Sequence, residues 1–255
     1  MALKALSGKV AVITASTEGI GLATARRLGL DGAKVVVSSR RQENVKKAVS
    51  LLESENIEVM GTICHVSKEA DRGRLVEETV KCFGGIDIFV SNAAVNPAVG
   101  PLLDTSEEVW NRIFETNVKA TFLLCKLVVP EIEKRGKGSV IIISSVGAYY
   151  PMQMIGAYCV SKTALLGLTK VMASELAEKN IRVNGVAPGI IKTKFSEFLW
   201  KDEGPISKAA KDIIPMRRFG ETDEIAGAVS FLASDASSYM TGETLLLTGG
   251  MPVHL

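Results

Sequence analysis

Short runs of apolar, largely β-branched residues recur along the chain, separated by longer stretches with helical spacing. The runs are KVAVIT (9–14), AKVVVSS (33–39), VMGTICHV (59–66), IDIFVSN (86–92), SVIIISS (139–145), IRVNGVAP (181–188) and ETLLLTG (243–249). Their apolar positions are nearly continuous rather than alternating, as in strands covered on both faces. Apolar residues three and four apart predict helices over Ile20–Leu30, Gln42–Glu55, Glu69–Phe83, Glu107–Arg135 and Ala157–Lys179. Strands alternating with helices imply parallel βαβ units. No linker or shift in composition divides the chain. The expected architecture is therefore one α/β domain over 1–255, a Rossmann-type doubly wound parallel sheet of about seven strands flanked by helices. Ligands of such sheets sit beyond the carboxyl ends of the strands.

Composition narrows the function classes. Formal net charge is +2, with no long run of either sign. A nucleic-acid binder would show a basic stripe, so none is expected as a partner. The four cysteines (Cys64, Cys82, Cys125, Cys159) form no C-x-x-C pair, which argues against a disulfide framework or zinc site and fits a reducing compartment. His65 and His254 are the only histidines, a poor supply for a histidine triad or metal centre, and no metal is expected. The N-terminal MALKALSGKV is too short and polar for a signal peptide, and no apolar run approaches a membrane span.

The first strand–helix junction, VITASTEGIGLATA, holds Gly19 and Gly21 but has Ala15 where a phosphate-binding loop would carry its first glycine. Thr14, Ser16, Gly19, Ile20 and Gly21 stand where backbone must approach a pyrophosphate at a helix N-terminus. A plain strand–turn–helix with incidental glycines is the bland alternative. The loop opens the first βαβ unit, as a dinucleotide fingerprint requires. At the end of the second strand, VVVSSRR has no acid before Glu43 to bond a ribose 2′-hydroxyl. Ser39, Arg40 and Arg41 could hold a 2′-phosphate instead, which favours NADP(H) over NAD. The alternative is that both arginines are solvated residues of a helix start.

Tyr158 and Lys162 lie four apart in a helical stretch and so share a face. A nearby ammonium favours tyrosinate, so the pair predicts a phenol with a lowered pKa, suited to proton exchange. A lone Y-x-x-x-K is weak, and Lys162 could simply extend to solvent.

With its surroundings, the sequence resembles the short-chain dehydrogenase/reductase family over essentially its whole length. The family's Y-x-x-x-K falls on Tyr158 and Lys162, its serine on Ser145 in IIISS, its asparagine on Asn117 in FETNVKA. Its N-N-A-G motif appears as SNAA, with Asn92, Ala93 and Ala94, and its P-G motif as APGIIKT, with Pro188, Gly189, Ile191 and Thr193. The resemblance implies a catalytic set of Asn117, Ser145, Tyr158 and Lys162, with Tyr158 as proton donor. It implies nicotinamide contacts from Ile191 and Thr193, and adenine contacts from His65 and the Val66 backbone. His65 stands where the family usually has an aspartate. The likeness is strongest to a branch of NADP-dependent carbonyl and retinal reductases that are often peroxisomal and tetrameric. This implies reduction of ketones, aldehydes, α-dicarbonyls or retinal, and a homotetramer. A 3-oxoacyl-thioester reductase and a non-catalytic NADP-binding sensor are the alternatives.

Residues 192–218 form a long segment with Phe195, Phe198, Leu199 and Trp200 in one apolar, aromatic turn. It reads either as a lid over a hydrophobic substrate or as a core or subunit-contact helix. Met152 and Ile155, with Ser145, Tyr158, Phe195 and Leu199, complete the expected substrate-binding set. The chain ends in Val-His-Leu, which partly resembles a peroxisomal address; the expectation is peroxisome, otherwise cytoplasm.

Overall fold

A computed structural model describes residues 4–202 and 204–253. The tripeptide read as a peroxisomal address has its last two residues, His254 and Leu255, outside the described residues.

All seven predicted strands form: β1 (Val10–Ile13), β2 (Lys34–Ser39), β3 (Val59–Ile63), β4 (Ile88–Ser91), β5 (Gly138–Ile143), β6 (Ile181–Pro188) and β7 (Thr244–Leu247). They make one parallel sheet in the order β3-β2-β1-β4-β5-β6-β7. The order reverses between β1 and β4, which opens a crevice beyond their carboxyl ends.

The continuous apolar runs have a simple cause: alternate residues of each strand feed different cores. Ile13, Val37, Val90 and Ile141 pack in one cluster with Ala25 and Leu28 of α1 (Gly19–Leu30) and Val229 of α9 (Thr222–Ala233). Val12, Val36, Phe89 and Val140 pack in another with Leu75 of α3 (Glu69–Phe83), Leu124 and Val128 of α5 (Ala120–Lys134), and Leu165 of α6 (Gly156–Leu176). The remaining helices are α2 (Gln42–Ser54), α4 (Glu107–Phe114), α7 (Glu197–Trp200) and α8 (Pro205–Asp212).

Two regions differ from the expectation. The stretch read as one helix over Glu107–Arg135 is interrupted by a π turn, Glu115–Lys119, between α4 and α5. Residues 192–218 contain two short helices, α7 and α8. The later part of this segment reaches the core through Ile214, 2% exposed, which clusters with Val146, Met251, Val253 and Phe219 just beyond the segment. In the earlier part, Phe195 and Phe198 are largely exposed. The core reading therefore holds at Ile214, while the exposed aromatic turn is compatible with either a lid or a subunit contact.

Candidate active site

The loop after β1 is shaped by backbone rather than by glycine count. Ala15 adopts φ +49°, a left-handed conformation that a Cβ disfavours, and Gly19 adopts φ +56°. At Gly21 a Cβ would come within 2.5 Å of the Ala15 carbonyl oxygen, so α1 can pack this close to the loop only without a side chain there. Glu18, at the N-cap of α1, makes no side-chain cap, which leaves first-turn N–H groups open to an anion. A glycine cradle and an uncapped helix start are what a pyrophosphate needs.

Thr14 and Ser16, expected to touch the cofactor, are both fully buried. The Thr14 hydroxyl accepts from the Asn92 and Ala93 N–H groups at 2.9 and 3.1 Å. Asn92 returns its amide to the Thr14 and Ala15 carbonyls, both at 3.0 Å. Ser16 donates to the Ile13 carbonyl and accepts from Ser38 N–H. These side chains, with Asn92, fix the loop to β4 and β2; they shape the crevice without lining it.

Beside the loop lies a cavity of about 380 Å³. The ends of β2 and β3 supply Ser39, Arg40, His65 and Val66, and the chain after β4 supplies Ala93 and Ala94. Arg41 is the N-cap residue of α2 and is not among its lining residues. Six further polar lining residues are absent from the sequence reading: Thr17, Glu18, Ser67, Arg112, Glu115 and Thr116. Arg112, Glu115 and Thr116 reach the cavity from α4 and the π turn, and the predicted uninterrupted helix gave no signal for that placement.

The π turn also places Asn117, which is 0% exposed. Its side chain clasps Val95, accepting from that N–H at 2.8 Å and donating to that carbonyl at 3.1 Å. The same amide donates to Ser161 at 3.0 Å, which connects α6 to the loop after β4. Ser161 is a positioning residue that the motif reading missed. Ser145, just past β5, accepts from Gly147 N–H at 3.1 Å.

Tyr158 and Lys162 are both buried on α6, but the ammonium makes no hydrogen bond to the phenol hydroxyl. Lys162 Nζ donates to the Ile143 carbonyl at 2.8 Å and lies 5.6 Å from the centre of the Tyr158 ring. Burial pushes the Tyr158 phenol up to about 12, with the Ser145 hydroxyl pulling the other way. Burial pushes Lys162 down to about 7. The expected lowering of the phenol by the lysine is corrected accordingly: desolvation outweighs it, and Lys162 reaches a backbone carbonyl instead.

A family model described as Enoyl-(Acyl carrier protein) reductase matches residues 14–252, spanning the glycine loop, the asparagine turn and the Tyr158 helix. The chain is a short-chain dehydrogenase/reductase. It is 58% identical to pig dehydrogenase/reductase SDR family member 4 over 252 residues, 99% of this chain and 90% of that one. Among solved structures it resembles gox2181, with a TM-score of 0.93 and 29% identity over 98% of this chain and 97% of that one. It also resembles a variant of actinorhodin polyketide ketoreductase with NADPH, with a TM-score of 0.90 and 29% identity over 96% and 98% of the two chains.

For this short-chain dehydrogenase/reductase, the residues expected at the nicotinamide and substrate end lie outside the described cavity. Gly189 is packed against Thr248, where a Cβ would meet the backbone at 3.0 Å. Ile191 is buried, and its carbonyl accepts from the Ser196 hydroxyl. Thr193 caps the turn before α7, and its carbonyl accepts from the Trp200 indole at 2.9 Å. Phe195 stands over Tyr158 with ring centres 5.8 Å apart. Ile155 forms an isolated bridge with Gly100, and Met152 packs against the Val146–Phe219 cluster.

Proposed function

We propose that this chain is an NADPH-dependent carbonyl reductase. The observation that carries the reading is the buried Tyr158 phenol beside Ser145, past the strand ends and one turn of helix from Lys162. A phenol held up to about 12 remains protonated at neutral pH, the state a proton donor to a carbonyl oxygen requires. Ser145 would share that oxygen and hold it in place. Lys162, tethered to the Ile143 carbonyl, would orient the nicotinamide ribose. When bound, the nicotinamide would supply the hydride. Ser39 and Arg40 would hold the 2′-phosphate; of the two acids lining that cavity, Glu115 is paired with Lys119 at 2.9 Å. Phe195 and the apolar residues around it would favour hydrophobic carbonyl compounds, including retinal.

The test is cofactor oxidation with a ketone, an aldehyde, an α-dicarbonyl and retinal, alongside 3-oxoacyl and enoyl thioesters, with NADH as control. Turnover of the simple carbonyls with NADPH is expected. Turnover confined to a thioester, or equal use of NADH, overturns the reading. The enoyl thioester is included because the matching family model carries that description.

Two further proposals accompany it. A homotetramer is supported by apolar residues exposed on two separate parts of the chain: Phe122 and Val171 on α5 and α6, and Phe231 and Tyr239 on and beyond α9. A monomer by light scattering removes that proposal. Peroxisomal targeting by Val-His-Leu is refuted if deleting those residues leaves localisation unchanged.

A further inference from the structure

The turn that follows β3, Ile63–Val66, is held by α3 in a way that leaves two particular backbone groups free. Arg74 donates to the Ile63 carbonyl at 2.8 Å. Cys64 N–H donates to the Ser39 carbonyl at 3.0 Å. His65 N–H donates to Asp71 Oδ2, and the His65 carbonyl accepts from Lys68 N–H, both at 2.8 Å. Arg72 Nη1 donates to the Val66 carbonyl at 2.8 Å. Among the described residues, the Cys64 carbonyl and the Val66 N–H have no hydrogen-bond partner. Both residues line the 380 Å³ cavity.

Arg72 is the unusual member. It is 6% exposed, has no carboxylate partner among the described residues, and leaves its Nε unpaired. Burying a guanidinium without a counter-charge is costly, and among the described residues its hydrogen bond is to this turn. Asp71 is held below the usual carboxylate range, first by the His65 N–H and then by Arg74. The turn therefore leaves one acceptor and one donor unpaired, two residues apart, in residues that line the cavity. That is the complement of adenine's edge, where an amino group donates beside a ring nitrogen that accepts.

We infer that Asp71 and Arg72 are positioning residues that preform this main-chain edge for the adenine of the cofactor, replacing a carboxylate at the position that His65 occupies. The inference rests on the nicotinamide-cofactor reading above and concerns residues outside the cavity. It makes base selectivity a property of α3.

The probe is the hypoxanthine analogue of NADPH, which presents an acceptor in place of the amino donor and a donor in place of the ring acceptor. Binding is measured by cofactor fluorescence, independently of turnover. The wild type should bind the analogue about tenfold or more weakly, as two mispaired polar groups require. Arg72→Met and Asp71→Ala should shrink that preference to roughly twofold to threefold, raising KM for NADPH with little change in kcat. Arg72→Lys, which can still donate to the Val66 carbonyl, should restore it. If Arg72→Met does not fold by chemical denaturation, Asp71→Ala decides. His65→Ala should keep the preference, because the edge is main chain. A wild type without preference, variants that keep it in full, or its loss in His65→Ala each overturn the inference. Failure to bind either NADPH or NADH overturns the functional reading too, which distinguishes the two.

Discussion

At the end proposed for the adenine half of the cofactor, Thr14, Ser16, Asn92 and Asp71 each bond backbone groups, and the strand ends they fix surround one cavity. At the proposed substrate end, Phe195 and Phe198 project from one short helical turn and the start of another, and are 54% and 68% exposed. One end is specified by directional bonds among buried groups. The other offers exposed apolar area, with the directional bonds of Thr193, Ser196 and Trp200 spent inside the turn that carries it. The first suits a ligand that never changes, and the second suits substrates sharing a reactive group and little else. Tyr158 and Lys162 stand between the two ends.

Tyr158→Phe tests that junction most severely. Turnover should fall about 10³-fold, the range expected for losing a positioned proton donor. NADPH affinity should remain, because the adenine end is untouched; loss of both would show that the two ends are not separable.

Lys162→Met acts on folding as well as on activity. The folded protein releases the Lys162 proton near pH 7, whereas an ordinary lysine holds it to about 10.5. The buried ammonium's cost is fullest below pH 7 and fades as pH rises towards 10.5. The variant should therefore be more stable than the wild type at pH 7, by on the order of a few kcal/mol. The gap should close by pH 10 in urea titrations, and a pH-independent gap would refute the assignment.

Phe195→Ala should raise KM for apolar carbonyls about fivefold, since only part of the ring is covered. The dissociation constant for NADPH should not move. A matching loss in cofactor affinity would erase the contrast between the ends. Ala15→Gly has the smallest expected effect. It relieves the left-handed strain at φ +49° and should stabilise the fold by about 0.5–1 kcal/mol, after the added freedom of glycine in the unfolded chain. No gain would mean that the loop already offsets that strain.

What the residues revealed in advance divides along similar lines. The seven strands were readable because Val12 and Ile13 serve opposite cores, so β1 is apolar without interruption. Helical spacing put Tyr158 and Lys162 on one face of α6. It could not show that Lys162 would reach Ile143, nineteen residues away in sequence, because that contact depends on how α6 lies against β5. Arg112 and Glu115 stayed hidden for a related reason, since apolar periodicity carries no trace of a change in hydrogen-bond register. The bonds of Arg72 and Asp71 to the turn after β3 were equally silent: their partners there are backbone groups, which every residue possesses. In the segment 192–218, the indole N–H marks Trp200 as able to seek an acceptor, but which carbonyl it finds, that of Thr193, depends on how the turn folds back.

The π turn at Glu115–Lys119 has a consequence for how this chain can vary in length. Each helical residue turns the chain by about 100°. Deleting one residue there would let α4 and α5 join in regular α-helical register, and by helix energetics alone the chain would improve. The same deletion would rotate everything after it by that angle. Leu124, Val128 and Ile132 would swing out of the core, or Asn117 would leave Val95. The extra residue makes this stretch intolerant of deletion, although a loop of equal length would absorb one.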